Sequence, residues 1–216
     1  MTLAVTDRIK TFKELRRSFN LEQSKDSAFF NELSEGLEEL TSEEKAGVGK
    51  IKKRFNYHRE DGFLLEGTVN LLIVSPLLEL AGFLDEPYQI RSSFDVELVI
   101  DDTVEMLKGF IDTLVVNDNL WVLSLESKRS AIPVGVALPQ LFAYMLAQPQ
   151  QNNLTFGLAT NGDEFIFLKV DFSAEKPVYG FSRGYSLLPV NHELDTVLKV
   201  LKRLGNTAGQ THLKLS

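Results

Sequence analysis

GFIDTLVVNDNLWVLSLESK, residues 109–128, decides the fold of this 216-residue chain, because it joins two apolar runs through one short polar break. The runs GFIDTLVV (109–116) and LWVLSLESK (120–128) are rich in β-branched and aromatic residues, which favours strands. Asn117, Asp118 and Asn119 supply the polar turn between them. The stretch therefore predicts an antiparallel hairpin, and the almost wholly apolar LWVLSL predicts that its second strand is buried on both faces.

Polar side chains occupy specific positions of this predicted hairpin. If the turn is centred near Asp118, Asp112 lies opposite Ser124, and Glu126 is its diagonal neighbour at roughly 7 to 8 Å between Cα atoms. Side chains alternate along a strand, so Glu126 and Lys128 point to one face. The pattern predicts that Asp112, Glu126 and Lys128 converge.

Two carboxylates that lie this close repel each other unless a cation sits between them. Mg²⁺ prefers such oxygen ligands, and Mn²⁺ can substitute for it. A lysine at the rim could orient or help to deprotonate an attacking water while the metal stabilises the transition state. Two carboxylates, a divalent cation and a nearby lysine suit phosphodiester hydrolysis. The alternative is a solvated strand end whose lysine guards an exposed sheet edge.

The flanking sequence predicts an α/β domain around the hairpin. Apolar residues in 64–82 are too dense for a surface helix and predict a core helix that ends at Gly82. Asn161-Gly162-Asp163 predicts a hairpin turn with positive φ values between LTFGLAT and EFIFLKV. Further elements are predicted as a strand over 94–100, a helix over 136–148 with Pro139 in its first turn, and a final helix over 190–204.

Residues 1–56 have helical spacing, with Asp26 and Ser42 as expected helix starts. We predict an N-terminal helical region over 1–57, a core over 58–172 and a C-terminal extension over 173–216. The stretch KIKKRFNYHR, residues 50–59, places five cations beside Phe55 and Tyr57. It suggests a DNA-facing patch, with a solvated helix face as the alternative. The five cations are Lys50, Lys52, Lys53, Arg54 and Arg59.

Composition narrows the class of protein. A chain with 44% hydrophobic and 25% charged residues fits a globular domain with one core. Cysteine is absent and the three histidines are far apart in sequence, which argues against a zinc enzyme. No signal peptide or uninterrupted apolar span is present, so we expect a cytoplasmic protein without membrane contact. A net charge of −7 means that any nucleic-acid contact must use local basic patches.

The order of these motifs resembles the PD-(D/E)xK restriction-endonuclease-like superfamily, over roughly residues 60–170. SPLLELAGF (75–83) and LATNGDEFIFL (158–168) further resemble the N-terminal nuclease domain of type I restriction enzyme R subunits. The motif residues, in chain order, are Glu66, Ile111-Asp112, Glu126-Ser127-Lys128, Gln140 and Tyr144.

The resemblance implies a three-layer α/β/α core with a mixed central sheet and an N-terminal helical cap. It implies that Asp112 and Glu126 bind the metal, that Lys128 is the catalytic lysine, and that Glu66 is the acidic residue of the core helix. Gln140 and Tyr144, which share a helical face, would orient the site or bind DNA. Two alternatives stay open for these residues. Glu66 could equally be a glutamate that only starts a helix, and Gln140 and Tyr144 could form the polar edge of an amphipathic helix.

The implied function is Mg²⁺-dependent DNA cleavage in a restriction-modification system. Gly47-Val48-Gly49-Lys50 does not match a phosphate-binding loop, so we expect no ATP site and no translocation of DNA by this chain alone. Expected partners are DNA and a separate motor or specificity subunit, and a homo-oligomer is compatible with the sequence. Two alternatives stay open: a catalytically silent DNA- or subunit-binding module, and a small-molecule-binding or regulatory α/β protein.

Overall fold

The structure is a computed structural model that describes residues 3–4, 8–86, 88–91, 94–100, 105–111, 113–116, 120–124, 133–147, 153–188 and 193–212. Its helices are α1 (Phe12–Phe19), α2 (Ser42–Arg59), α3 (Glu66–Val69), α4 (Ser75–Leu80), α5 (Leu138–Ala147) and α6 (Leu194–His212), with a π-helical turn at Asn70–Val74 and 3₁₀ turns at Asn31–Leu33 and Val134–Val136. Its strands are β1 (Leu3–Ala4), β2 (Glu22–Gln23), β3 (Ile90–Arg91), β4 (Phe94–Ile100), β5 (Glu105–Ile111), β6 (Thr113–Val116), β7 (Leu120–Ser124), β8 (Leu154–Thr160), β9 (Glu164–Asp171), β10 (Val178–Phe181) and β11 (Tyr185–Ser186).

The large sheet is mixed, as the sequence predicts. Its strand order is β2-β10-β9-β8-β7-β6-β3, and β11 also pairs with β9. The pairs β7/β8 and β2/β10 are parallel, whereas the other pairs are antiparallel. A smaller sheet has the order β1-β5-β4. The α/β class is therefore confirmed at the level of a mixed sheet with helices.

Helices cover both faces of the central strands. On β8 and β9, Phe156 and Phe167 belong to one apolar cluster, which also contains residues of α2, α3, α4 and α6. The alternate residues Ala159 and Leu168 belong to a second cluster with residues of α1 and α5. Burying one large apolar side chain stabilises a fold by about 1.5–3 kcal/mol, so two-sided burial makes these strands the centre of the core.

The predicted core helix over 64–82 is confirmed, and it is continuous from Glu66 to Leu80 through the π-helical turn. Pro76 lacks an N–H, and its ring crowds the carbonyl one turn earlier, which explains why the helix widens immediately before it. Gly82 ends the helix with a φ of 80°, and the Phe83 N–H donates to the Leu78 carbonyl at 2.9 Å.

The β8–β9 hairpin is also confirmed, with Thr160 opposite Phe165 as the last pair before the turn. The expected pair of positive φ values is wrong, since Gly162 has a φ of 89° but Asn161 does not have a positive φ. The Asn161 side chain instead accepts the N–H groups of Asp163 and Glu164 at 3.1 and 3.0 Å. A side-chain cap thus replaces the tighter turn.

The N-terminal region is less helical than predicted. The helix expected at Asp26 is wrong, because the Asp26 side chain accepts the Ala28 N–H at 2.9 Å and stabilises a turn. β2 pairs with β10 of the large sheet, so the N-terminal region supplies a strand to the sheet as well as helices. The start at Ser42 is confirmed, with Thr41 and Glu44 forming a capping box. The boundaries at 57 and 172 stay predictions.

The strand predicted over 109–116 is divided between the two sheets. β5 ends at Ile111 after pairing with the confirmed strand β4, and β6 begins at Thr113 and pairs with β7. Alternation along a strand specifies a face but not a partner strand, which is why the sequence did not reveal the division.

The predicted helices over 136–148 and 190–204 are confirmed as α5 and α6, and Pro139 is the second residue of α5.

A buried ion pair joins the N-terminal region to the large sheet. Lys169 of β9 and Glu32 have side chains that are each 8% exposed, and the Lys169 Nζ lies 2.8 and 3.0 Å from the two Glu32 carboxylate oxygens. The same ammonium donates to the Phe29 carbonyl at 2.8 Å. It also lies 5.0 Å from the centre of the Phe29 ring. These contacts satisfy the charge away from water.

Candidate active site

The β6–β7 hairpin has the register that the sequence predicts. Thr113 lies opposite Leu123 and Val116 lies opposite Leu120, so residues 117–119 separate the two strands. The hairpin prediction is confirmed for the described residues. Asp112, Glu126 and Lys128, and the turn residues 117–119, lie outside the described residues, so their assignments stay predictions.

The end of β7 lies beside the end of β8. The two strands are parallel, and Ser124 pairs with Thr160, the last residue of β8. Thr160 is fully buried, and its hydroxyl accepts the Gly162 N–H at 3.0 Å. The carboxyl ends of both strands therefore meet the β8–β9 turn at one end of the sheet, which we call the turn end.

Glu66, the first residue of α3, is partly buried at this turn end. The β8–β9 turn packs on its helix so closely that a Cβ added at Gly162 would lie 2.9 Å from Val69 Cγ2. Val69 follows Glu66 by about one helical turn. The structure thus brings Glu66 to the end of the sheet where β7 finishes, and it also provides a packing reason for glycine at position 162.

A bidentate ion pair holds α2 at the same turn end. Arg59 Nε and Nη2 donate to the two Asp163 carboxylate oxygens at 3.0 and 2.9 Å. This hydrogen bonding raises the pKa of the Arg59 guanidinium. The guanidinium also covers the Phe63 ring, 4.2 Å from its centre. The pairing of Arg59 with Asp163 was not predicted, although the Asn-Gly-Asp turn does place a carboxylate at this point of the chain.

Gln140 and Tyr144 lie on the other face of the sheet from Glu66, because α5 belongs to the second apolar cluster. The helix α5 connects the parallel strands β7 and β8, so it runs back across them and its first turn faces their carboxyl ends. Gln140, in that first turn, is partly exposed. Tyr144 is 4% exposed, and burial raises the pKa of its hydroxyl.

The proposed basic patch on α2 is smaller than the sequence suggests. Phe55 is 1% exposed and belongs to the core. Lys52 forms an ion pair with Asp195 of α6, and Arg59 forms the ion pair with Asp163. Only part of the patch is therefore available to bind an anion.

Among the residues that the structure describes, no three His, Asp or Glu side chains lie close enough to hold a metal ion together. Within the same residues, no helix is long and apolar enough to cross a membrane. No protein-family model matches the chain, and no curated protein matches it. The residue pattern and the geometry around the turn end therefore provide the evidence for function.

Proposed function

We propose that the chain is a metal-dependent deoxyribonuclease of the restriction-endonuclease-like type, with helices layered on both faces of its mixed sheet. The observation that supports this most is the register of the β6–β7 hairpin. Extended by one residue, this register would set Asp112 opposite Ser124, with Glu126 as its diagonal neighbour. Glu66, whose helix packs on the β8–β9 turn, would be the fourth residue of the set.

The donor set fits a hard divalent cation, since Asp112 and Glu126 offer carboxylate oxygens and the chain has no cysteine. When bound, Mg²⁺ or Mn²⁺ would supply Lewis-acid stabilisation of the phosphorane-like transition state. Lys128 would hold the attacking water and offset the charge on the phosphate. The water oxygen would form a bond to phosphorus as the bond to the leaving oxygen breaks, with the protons exchanged through solvent.

Thermal unfolding tests this proposal without knowledge of the right DNA. A metal that binds only the folded state stabilises it by about 1.4 kcal/mol at ten times its Kd. For a domain of this size that energy raises the midpoint by about 3 to 5 °C. We expect Mn²⁺ to produce this rise in the wild-type protein and Asp112→Asn to abolish most of it. Since two carboxylates repel in the metal-free protein, Asp112→Asn should start from an equal or higher midpoint.

The matched control is Asp118→Asn, which removes the same charge from the neighbouring turn and should keep the Mn²⁺ response. Equal responses of wild type and Asp112→Asn would place the ion elsewhere. No response of the wild type at saturating Mn²⁺ would favour a catalytically silent DNA- or subunit-binding module.

A further inference from the structure

The outer face of α2 carries cations that are free to bind an anion. Lys50, Lys53 and Arg54 are exposed, and among the described residues none of them forms an ion pair. Tyr57 is 70% exposed. These four residues, which we call the α2 stripe, differ from Lys52 and Arg59, whose charges are neutralised by Asp195 and Asp163.

Helix geometry places the α2 stripe on one line. Positions 50, 53, 54 and 57 follow i, i+3, i+4 and i+7 spacing, so their side chains share one face. Burial of Val48, Ile51 and Phe55 in the core directs that face to solvent. Seven residues of α-helix span about 10 Å. One strand of B-form DNA has about three phosphates along that length.

The α2 stripe leads toward the turn end of the sheet. Arg59, the last residue of α2, binds Asp163 in the β8–β9 turn, which packs on α3. The N-terminal half of α2 contacts the end of α4, since a Cβ added at Gly47 would lie 2.6 Å from Leu80 Cδ2. The helix α2 therefore runs antiparallel to α3 and α4, and the Tyr57 end of the stripe lies nearer to Glu66 than the Lys50 end.

The acidic residues of α2 lie at its opposite end. Glu43 and Glu44 are in the first turn, where Glu44 forms an ion pair with Lys202. A groove of about 660 Å³ between α2 and α4 is lined by Lys50 and Arg54 together with Glu43, Glu44 and Glu79. Repulsion from these carboxylates disfavours phosphate at the first turn of α2, so an anionic chain would follow the helix from Lys50 toward the turn end.

We propose that the α2 stripe binds the phosphate backbone of duplex DNA as it leaves the active site, an inference that rests on the proposed nuclease function. Lys50, Lys53 and Arg54 each neutralise one phosphate, and the Tyr57 hydroxyl donates to a neighbouring one. Contacts of this kind position the duplex without reading its sequence. They also give a protein with a net charge of −7 a local surface for DNA.

Fluorescence anisotropy with a labelled duplex of about two helical turns, in EDTA so that no cleavage occurs, tests the inference. The variant Lys50→Ala/Lys53→Ala/Arg54→Ala should reduce the slope of log affinity against log salt by about 2.7, from 0.9 per lost phosphate contact. At 0.1 M salt the affinity should fall on the order of a hundredfold. The matched control is Lys13→Ala/Arg16→Ala/Arg17→Ala on α1, which removes equal charge from the helix layer on the other face of the sheet.

The control should keep a nearly wild-type slope. Equal losses in both triple variants would reveal a general charge effect and overturn the inference, as would a wild-type protein that does not bind the duplex. If the α2 triple variant binds the duplex as the wild type does, and the wild type shows metal-dependent cleavage, the α2 stripe does not bind DNA but the proposed nuclease function stands. If duplex binding depends on the α2 stripe but the wild type shows neither an Mn²⁺ response nor cleavage, the proposed nuclease function is wrong and DNA binding by the stripe is supported.

Discussion

Lys128→Ala is expected to lower the turnover number for DNA cleavage by about 10²- to 10⁴-fold, the range found for groups that assist proton transfer or stabilise charge in the transition state. In the proposed site Lys128 acts on the attacking water and on charge that develops during the reaction. Its removal should therefore reduce kcat while leaving the affinity for DNA nearly unchanged. Single-turnover cleavage with Mg²⁺, combined with binding measured in EDTA, separates the two effects.

The matched control is Lys176→Ala. Lys176 is 49% exposed and pairs with the exposed Glu22 at 3.3 Å, so its removal takes away the same charge with little effect on the fold. Cleavage by this control should equal that of the wild type. Both variants should keep the wild-type circular dichroism spectrum. A folded Lys128→Ala protein that cleaves DNA at the wild-type rate would eliminate the proposed role of this lysine.

Glu32→Ala is expected to reduce the free energy of unfolding by about 3–5 kcal/mol, because it leaves the buried Lys169 ammonium without its carboxylate. Only the Phe29 carbonyl and the surrounding rings would then stabilise this charge. For a domain of this size the loss corresponds to about 6–20 °C in the unfolding midpoint. Urea unfolding, followed by circular dichroism, measures the free energy directly.

Two further variants test the physical cause. Glu32→Ala combined with Lys169→Met removes both charges, so it should recover most of the stability lost in the single variant. Glu22→Ala, which breaks the exposed pair with Lys176, should change stability by less than about 1 kcal/mol. A loss below about 1 kcal/mol for Glu32→Ala would show that the Lys169 charge is not confined to the core.

Sequence patterns predicted the elements whose periodicity and end signals agree. The core helix before Gly82 and the hairpins around residues 117–119 and 161–163 combine apolar periodicity with turn residues, and the structure contains all three. Strand partners were harder to predict, because alternation identifies a buried face but not a neighbour. This is why the addition of β2 to the large sheet and the division between β5 and β6 were not predicted.

The candidate site was only partly predictable, because part of it depends on local spacing and part on contacts between distant segments. The hairpin register follows from local spacing, whereas the approach of α3 to the β8–β9 turn depends on packing between segments about 90 residues apart in sequence. Ion pairs between distant segments are equally hidden, as with Lys52 and Asp195. Sequence alone therefore overestimated the free positive charge on α2, which the pairings of Lys52 and Arg59 reduce.

A crystal structure of the protein soaked with Mn²⁺ tests the proposed nuclease site most directly, since manganese is located by its anomalous scattering. We expect density between the carboxylates of Asp112 and Glu126, with those carboxylates within about 6 Å of each other and Lys128 on the same face of the sheet. An absence of manganese between these two residues, with Lys128 on the opposite side of the sheet from Asp112, would contradict the proposed active site.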